Sequence, residues 1–69
     1  IMTVKNVLEK VYCLEKCTPV LVYNNVHKEH TSFEYGDFLD EKVHPNYLNE
    51  EVESWKQGPN HGVVSIILK

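Results

Sequence analysis

The chain has 69 residues, the size of a single domain near the lower limit for folding without a staple or a partner. Its 42% hydrophobic and 25% charged residues are typical of a globular protein and exclude intrinsic disorder. The net charge of −3 and the absence of arginine argue against nucleic-acid binding, because duplex binding depends on neutralising phosphates. The apolar runs are too short to span a bilayer and no signal peptide is evident, so we expect one cytoplasmic domain over residues 1–69.

The first third of the chain has apolar residues at helical spacing. They are Val4, Val7, Leu8, Val11 and Leu14. Thr3 is a suitable N-cap, and Thr18-Pro19 prevents a helix from continuing further. The pattern therefore predicts an amphipathic helix from about Val4 to Leu14.

A first β-hairpin is predicted to follow this helix. Val20–Tyr23 is rich in β-branched and aromatic residues, as strands are. Asn24-Asn25 is a turn signal, and the stretch up to His30 is interpreted as the loop. Thr31–Tyr35 then alternates apolar and polar residues, which indicates a half-buried return strand that ends at Gly36.

The second half of the chain predicts a short helix and a second hairpin. Residues 37–43 favour one or two helical turns, and His44–Asn46 is expected to end them. Glu51–Lys56 and Val63–Leu68 are predicted strands, and the Gly58–Gly62 segment between them is a turn.

The order of elements predicts an α+β domain, α-β-β-(short α)-β-β, with the N-terminal helix packed on a mainly antiparallel four-stranded sheet. In the last strand Val64, Ile66 and Leu68 point to one face, while Val63 and Ile67 point to the other. Because one helix covers only one face, either the middle segment covers the second face or that face is partly exposed and apolar. An exposed apolar face often marks a partner site, commonly for a second copy.

Two cysteines and two histidines within eighteen residues suggest an alternative, a zinc site formed by Cys13, Cys17, His27 and His30. In a regular helix Cys13 points away from the sheet, so the competing interpretation is two reduced thiols and two loop histidines. Cys13 also lies near the predicted helix C-terminus, where the helix dipole disfavours a thiolate. The leading interpretation therefore assigns no metal, no cofactor and no catalytic residue.

The middle of the chain is acidic. Its carboxylates are Glu34, Asp37, Asp40, Glu41, Glu50, Glu51 and Glu53, against Lys42 alone. Such a density of charge is either a solvated face or a surface that steers a partner protein. Together with Val63 and Ile67, these residues are the candidate partner-binding residues.

The layout of the chain resembles that of short uncharacterised proteins from phages and mobile elements of Gram-positive bacteria. The segments that carry this resemblance are Met2–Leu8, Pro19–Tyr23 and Val63–Leu68. It implies an accessory or regulatory binding protein and assigns no functional residues. The sequence thus predicts a non-enzymatic protein-interaction module that binds a partner protein or itself as a homodimer, with no nucleic-acid or membrane partner; the alternative is a small zinc-binding domain.

Overall fold

The computed structural model describes residues 1–69 and confirms the α+β fold. The elements in chain order are α1 (Val4–Lys10), β1 (Pro19–Asn24), β2 (Glu29–Glu34), α2 (Tyr35–Leu39), α3 (Pro45–Leu48), β3 (Val52–Gln57), a 3-10 turn (Pro59–His61) and β4 (Val64–Leu68). None of the helices is long and apolar enough to cross a membrane.

Four strands form one sheet in the order β2-β1-β4-β3. The two predicted hairpins, β1–β2 and β3–β4, are antiparallel, and they join through a parallel pairing of β1 with β4 at the centre. The sheet is therefore mixed rather than purely antiparallel. Parallel neighbours need a long crossover connection, which the two hairpin partners and the two short helices together provide here.

Helix α1 begins as predicted but ends earlier. Thr3 accepts a hydrogen bond from the backbone N–H of Asn6, and the Asn6 side chain accepts one from the N–H of Thr3. The helix ends at Lys10 rather than near Leu14, because Val11 is already extended (φ −73°, ψ 155°). The side chain of Leu14 is 66% exposed, so the last member of the periodic pattern lies outside the core.

The β1–β2 turn is shorter than predicted. Asn24 Oδ1 accepts hydrogen bonds from the backbone N–H groups of Val26 and His27, which closes a tight turn after β1. Strand β2 consequently begins at Glu29, and His30 lies in the strand instead of the loop.

The connection between the hairpins contains two short helices. Lys42 N–H donates to Asp37 O and Glu41 N–H donates to Phe38 O, with Glu41 left-handed at φ 58°, so α2 ends in a Schellman-type cap. Helix α2 ends at Leu39, before the break predicted at His44–Asn46, and a separate helix that was not predicted, α3, begins at Pro45, where the missing N–H of proline costs nothing.

The core lies between α1 and one face of the sheet. Its ten buried residues are Val4, Val7, Leu8, Val11, Val20, Val22, Val52, Val64, Ile66 and Leu68. Phe33, Tyr47 and Leu48 pack against this cluster, and the Phe33 and Tyr47 rings meet edge to face at 6.2 Å. Phe33 pairs with the buried Val20 on β1, so α3 lies on the same side of the sheet as α1.

Candidate functional site: an open sheet face

No helix packs on the second face of the sheet, whose side chains are mostly exposed. We call this second face the open face. Its side chains are those of Pro19, Leu21 and Tyr23 on β1, His30, Ser32 and Glu34 on β2, Ser54 and Lys56 on β3, and Val63, Ser65 and Ile67 on or just before β4. They alternate along the strands with the residues that face the core.

The centre of the open face is apolar. Leu21 is 46% exposed and Ile67 38%, whereas their neighbours Val20 and Ile66 on the core face are 0% and 1% exposed. Val63 is also 38% exposed and lies directly before β4. On the open face, the exposed aliphatic side chains thus lie on the two central strands or directly before one of them.

The rim of the open face is polar. The edge strand β2 contributes His30, Ser32 and Glu34, and the other edge strand β3 contributes Ser54 and Lys56. An apolar centre within a polar rim is the organisation of protein–protein interfaces. The His30 ring packs on Tyr23 with 4.6 Å between ring centroids, which covers part of one central aromatic residue.

The sequence left open whether the middle segment covers the second face of the sheet or leaves it exposed, and in the structure that face is exposed. The middle segment packs beside α1, as the contact of Tyr47 with Phe33 shows, and leaves the outer face of the sheet uncovered. Val63 and Ile67, which the alternation placed on this face, are therefore exposed.

Opposite charges lie at opposite edges of the open face. Glu34 is at the end of β2, and its backbone N–H donates to Asp37 Oδ2 at 3.1 Å. Lys56 is on β3, the opposite edge strand, which is separated from β2 by three inter-strand spacings in the order β2-β1-β4-β3. With about 4.8 Å between neighbouring strands, the two edges are about 14 Å apart.

The acidic residues of the middle segment do not form one patch. Glu34 lies near the start of β1, since it pairs with Pro19, and Asp40 also lies there, since it is 3.7 Å from Lys16 Nζ. Glu50 to Glu53 lie at the start of β3, near the end of β1, since Val52 pairs with Leu68 and Leu68 with Asn24. The six residues of β1, at about 3.3 Å each, keep the two groups well apart.

Lysines partner two of these carboxylates. Asp40 lies 3.7 Å from Lys16 Nζ, and Glu51 lies 3.7 Å from Lys69 Nζ. Asp37 accepts a hydrogen bond at the start of α2, and the exposed side chains of Glu41, Glu50 and Glu53 remain in solvent. Of the acidic candidates, Glu34 belongs to the open face.

The four candidate zinc ligands are also separated by β1. Cys17 lies just before the strand, whereas His27 lies in the turn after it and His30 pairs with Tyr23 near its end. A six-residue strand spans about 20 Å, far beyond the reach of one tetrahedral ion. No group of three or more histidine, cysteine or acidic side chains is arranged to hold a metal.

Cys13 does not point away from the sheet as expected from a longer helix. Because α1 ends at Lys10, the Cys13 side chain turns inwards and packs against the core, with its Sγ 3.8 Å from Gln57 Nε2. The same Nε2 donates to the Tyr12 carbonyl oxygen at 2.7 Å, which ties the segment after α1 to β3.

The pKa values of both thiols are raised. Burial raises the pKa of Cys13. The pKa of Cys17 is raised chiefly by its hydrogen bond to Glu15 Oε2 at 3.3 Å, and further by the negative charge of Glu15. A thiolate is the reactive species, so neither cysteine is activated as a nucleophile.

We expect Glu15→Ala to accelerate alkylation of Cys17 at pH 8 by roughly threefold, because a lower pKa supplies more thiolate although each thiolate is less nucleophilic. Iodoacetamide labelling followed by peptide mass spectrometry measures both cysteines in one sample. Cys13 is the internal control, since its pKa is raised by burial and not by Glu15. An equal acceleration at both thiols would instead indicate that the variant loosens the fold.

A groove lies on the helical side of the molecule, with a volume of about 580 Å³. Its lining residues are Lys5, Phe38, Leu39, Glu41, Val43, Pro45, Leu48 and Asn49. Phe38 and Leu48 also pack against the core, so this groove is largely the seam between α1 and the two short helices. It brings together one acidic candidate, Glu41, and no other residue singled out in the sequence.

Sequence reasoning found two apolar residues of the open face and missed Leu21 and Tyr23. The signal was present, because the run Val20–Tyr23 is apolar at four consecutive positions and a strand exposes alternate side chains to opposite faces.

No family model, curated protein or solved structure matches this chain.

Proposed function

We propose that this chain is a non-enzymatic protein-interaction module whose open face is the binding surface. The observation that carries the proposal is the exposure of Leu21 and Ile67 on the two central strands, and of Val63 directly before β4, whereas Val20 and Ile66 on the other face are buried. Burying such side chains against a partner is favourable by about 25 cal/mol for each Å² of apolar surface removed from water.

The chemistry of the side chains supports binding over catalysis. The raised pKa values of Cys13 and Cys17 disfavour the thiolate that a nucleophilic enzyme would need. Both cysteines are free, which fits a reducing cytoplasmic environment. The layout resembles that of short uncharacterised proteins of phages and mobile elements, and the accessory role that this resemblance implies fits a regulatory binding protein.

A photo-activatable cross-linker tests the surface directly. Benzoylphenylalanine in place of Leu21 lies at the centre of the open face, and the same group in place of Leu14 is the control, since Leu14 is even more exposed but lies after α1. We expect a discrete adduct from the Leu21 position in cells of the natural source, and at least about fivefold less from the Leu14 position.

Specificity of the adduct comes from competition. Excess unlabelled wild-type protein should suppress it, whereas excess Ile67→Lys should not, because a buried lysine at the centre of an interface lacks a partner. Equal labelling from both positions, or no adduct from either, would count against the open face as a binding surface.

A further inference from the structure

We infer that the occupant of the open face is a second copy of this chain, stacked sheet on sheet about a two-fold axis that runs nearly parallel to the strands. This inference rests on the proposed function, since it uses the same surface. It is carried by the distribution of charge on that surface: Glu34 lies at one edge and Lys56 at the other, with aliphatic side chains between them.

Sheets that pack face to face align their strands within about 30°. For two identical sheets this leaves two symmetric arrangements, in which the two-fold axis is either nearly parallel or nearly perpendicular to the strands. The parallel axis places β2 of one copy over β3 of the other. The perpendicular axis places each edge strand over its own equivalent.

The charges favour the parallel axis. Lys56 pairs with Ser65, Ser65 with Leu21, and Leu21 with Ser32, so all four lie at one level across the sheet. With β3 under β2 of the other copy, Lys56 faces Ser32 of that copy. Glu34 of the same copy is the next side chain on that face of β2, about 7 Å further along the strand. A lysine side chain spans this offset, and symmetry forms the pair twice.

The perpendicular axis brings like charges together. When it passes through the centre of the face, Lys56 lies opposite Lys56 of the other copy, and like charges in contact are unfavourable. Either axis superposes the central strands, so that Leu21 and Ile67 of one copy contact the apolar strip of the other, and only the charges distinguish the two arrangements. The surface is therefore self-complementary in both charge and polarity.

The size of the face sets the strength of the association. Four strands and five residues along each give a face of about 19 by 17 Å, on the order of 300 Å² in projection. Standard interfaces remove about 800 Å² of accessible surface from each partner, so this dimer belongs to the weak, transient class. We expect a reversible equilibrium that shifts with concentration.

Sedimentation velocity on the reduced protein, over a concentration series into the millimolar range, measures this equilibrium. The weight-average mass should rise from 8.0 kDa towards twice that value. Ile67→Lys should remain monomeric throughout. Leu14→Lys adds the same charge at an exposed apolar residue off the open face and should follow the wild-type curve. A wild-type protein that is monomeric throughout overturns the inference.

Charge exchange tests the axis. Glu34→Lys and Lys56→Glu should each weaken dimerisation by about fivefold to tenfold, because each replaces two attractive pairs with repulsive ones. The double variant should return to within about twofold of wild type, as only the opposed arrangement of these two residues restores attraction. A double variant that is no better than the single variants overturns the parallel axis.

The outcomes separate this inference from the proposed function. A monomeric wild type whose Leu21 position cross-links to a different protein, with competition by wild type and not by Ile67→Lys, retains the binding surface and rejects the second copy. A monomer without a specific adduct rejects both.

Discussion

We expect Ile66→Ala to lower the free energy of unfolding by about 3 kcal/mol, and Ile67→Ala by less than about 1 kcal/mol. The two isoleucines are neighbours in β4 and lose the same atoms, but Ile66 is 1% exposed and Ile67 is 38% exposed. Removing Ile66 leaves a cavity between α1 and the sheet, whereas water fills the space left by Ile67. The difference between the two losses in free energy of unfolding therefore shows which face of the sheet is covered by the rest of the protein.

Comparison within one strand removes a common ambiguity. Both substitutions replace a β-branched residue with alanine, so the loss of strand propensity is similar and cancels in the difference. A domain of this size has a net stability of roughly 3–5 kcal/mol, so Ile66→Ala should retain only about 0–2 kcal/mol at 25 °C. Urea denaturation followed by circular dichroism, on dilute protein, gives both values. Equal losses would show that Ile67 is buried in the monomer and would contradict the open face.

Self-association adds a concentration dependence to the same measurement. A dimer that forms only from folded chains raises apparent stability with protein concentration. Wild type should therefore unfold at a higher urea concentration when it is concentrated, and a variant that disrupts the open face, such as Ile67→Lys, should not. Leu14→Lys should retain the shift.

Local pattern was sufficient to predict α1 and the four strands, but neither α3 nor the arrangement of the strands. Helix α1, the strand pair formed by β1 and β2, and the Gly58–Gly62 turn all follow from periodicity and turn chemistry, and each is present. The parallel pairing of β1 with β4 joins Val20 to Val64, forty-four residues apart, and no local signal specifies it. Strand order depends on how the two hairpins pack around the same helix, which is a property of the assembled core.

The early end of α1 has a similar cause. Leu14 continues the helical spacing, but the chain must return to the start of β1 within a few residues, and Gln57 on β3 binds the carbonyl oxygen of Tyr12 at 2.7 Å. This contact joins residues forty-five positions apart, and a local pattern cannot reveal it. The error then spread to Cys13, whose orientation was inferred from a helix that does not reach it.

For the candidate site, the useful signal was alternation and the misleading one was clustering in sequence. Val63 and Ile67 were identified from the two-faced pattern of the last strand, and both are exposed. The acidic residues are close in sequence, yet β2 ends at one side of the sheet and β3 begins at the other, so Glu34 and Glu50 are far apart. Acidic residues that are close in sequence form one acidic surface only where the chain between them does not run from one end of the molecule to the other.

Gly36→Ala should destabilise the fold by about 2 kcal/mol, although alanine is the better helix former. Gly36 lies in α2 and its N–H donates to the carbonyl oxygen of Lys16 at 2.7 Å. A methyl group at this position would lie 2.8 Å from Lys16 Cβ and 3.1 Å from Lys16 O, closer than packed atoms approach. Helix propensity alone predicts a gain of up to about 1 kcal/mol, so the two effects differ in sign and the sterics should prevail.

Gly58→Ala is the matched control for this prediction. A methyl group there meets the backbone of Val63 at 3.6 Å, which is ordinary contact, and the backbone of Gly58 has φ −69°. Alanine fits that conformation and restricts the unfolded chain, so we expect no change or a gain of about 0.5 kcal/mol. Thermal unfolding resolves the difference, because 2 kcal/mol corresponds to roughly 8–16 °C in a domain of this size. If Gly36→Ala were as stable as Gly58→Ala, the contact between α2 and the segment before β1 could not be as close as it is here, and the docking of the middle segment beside the core would have to be looser.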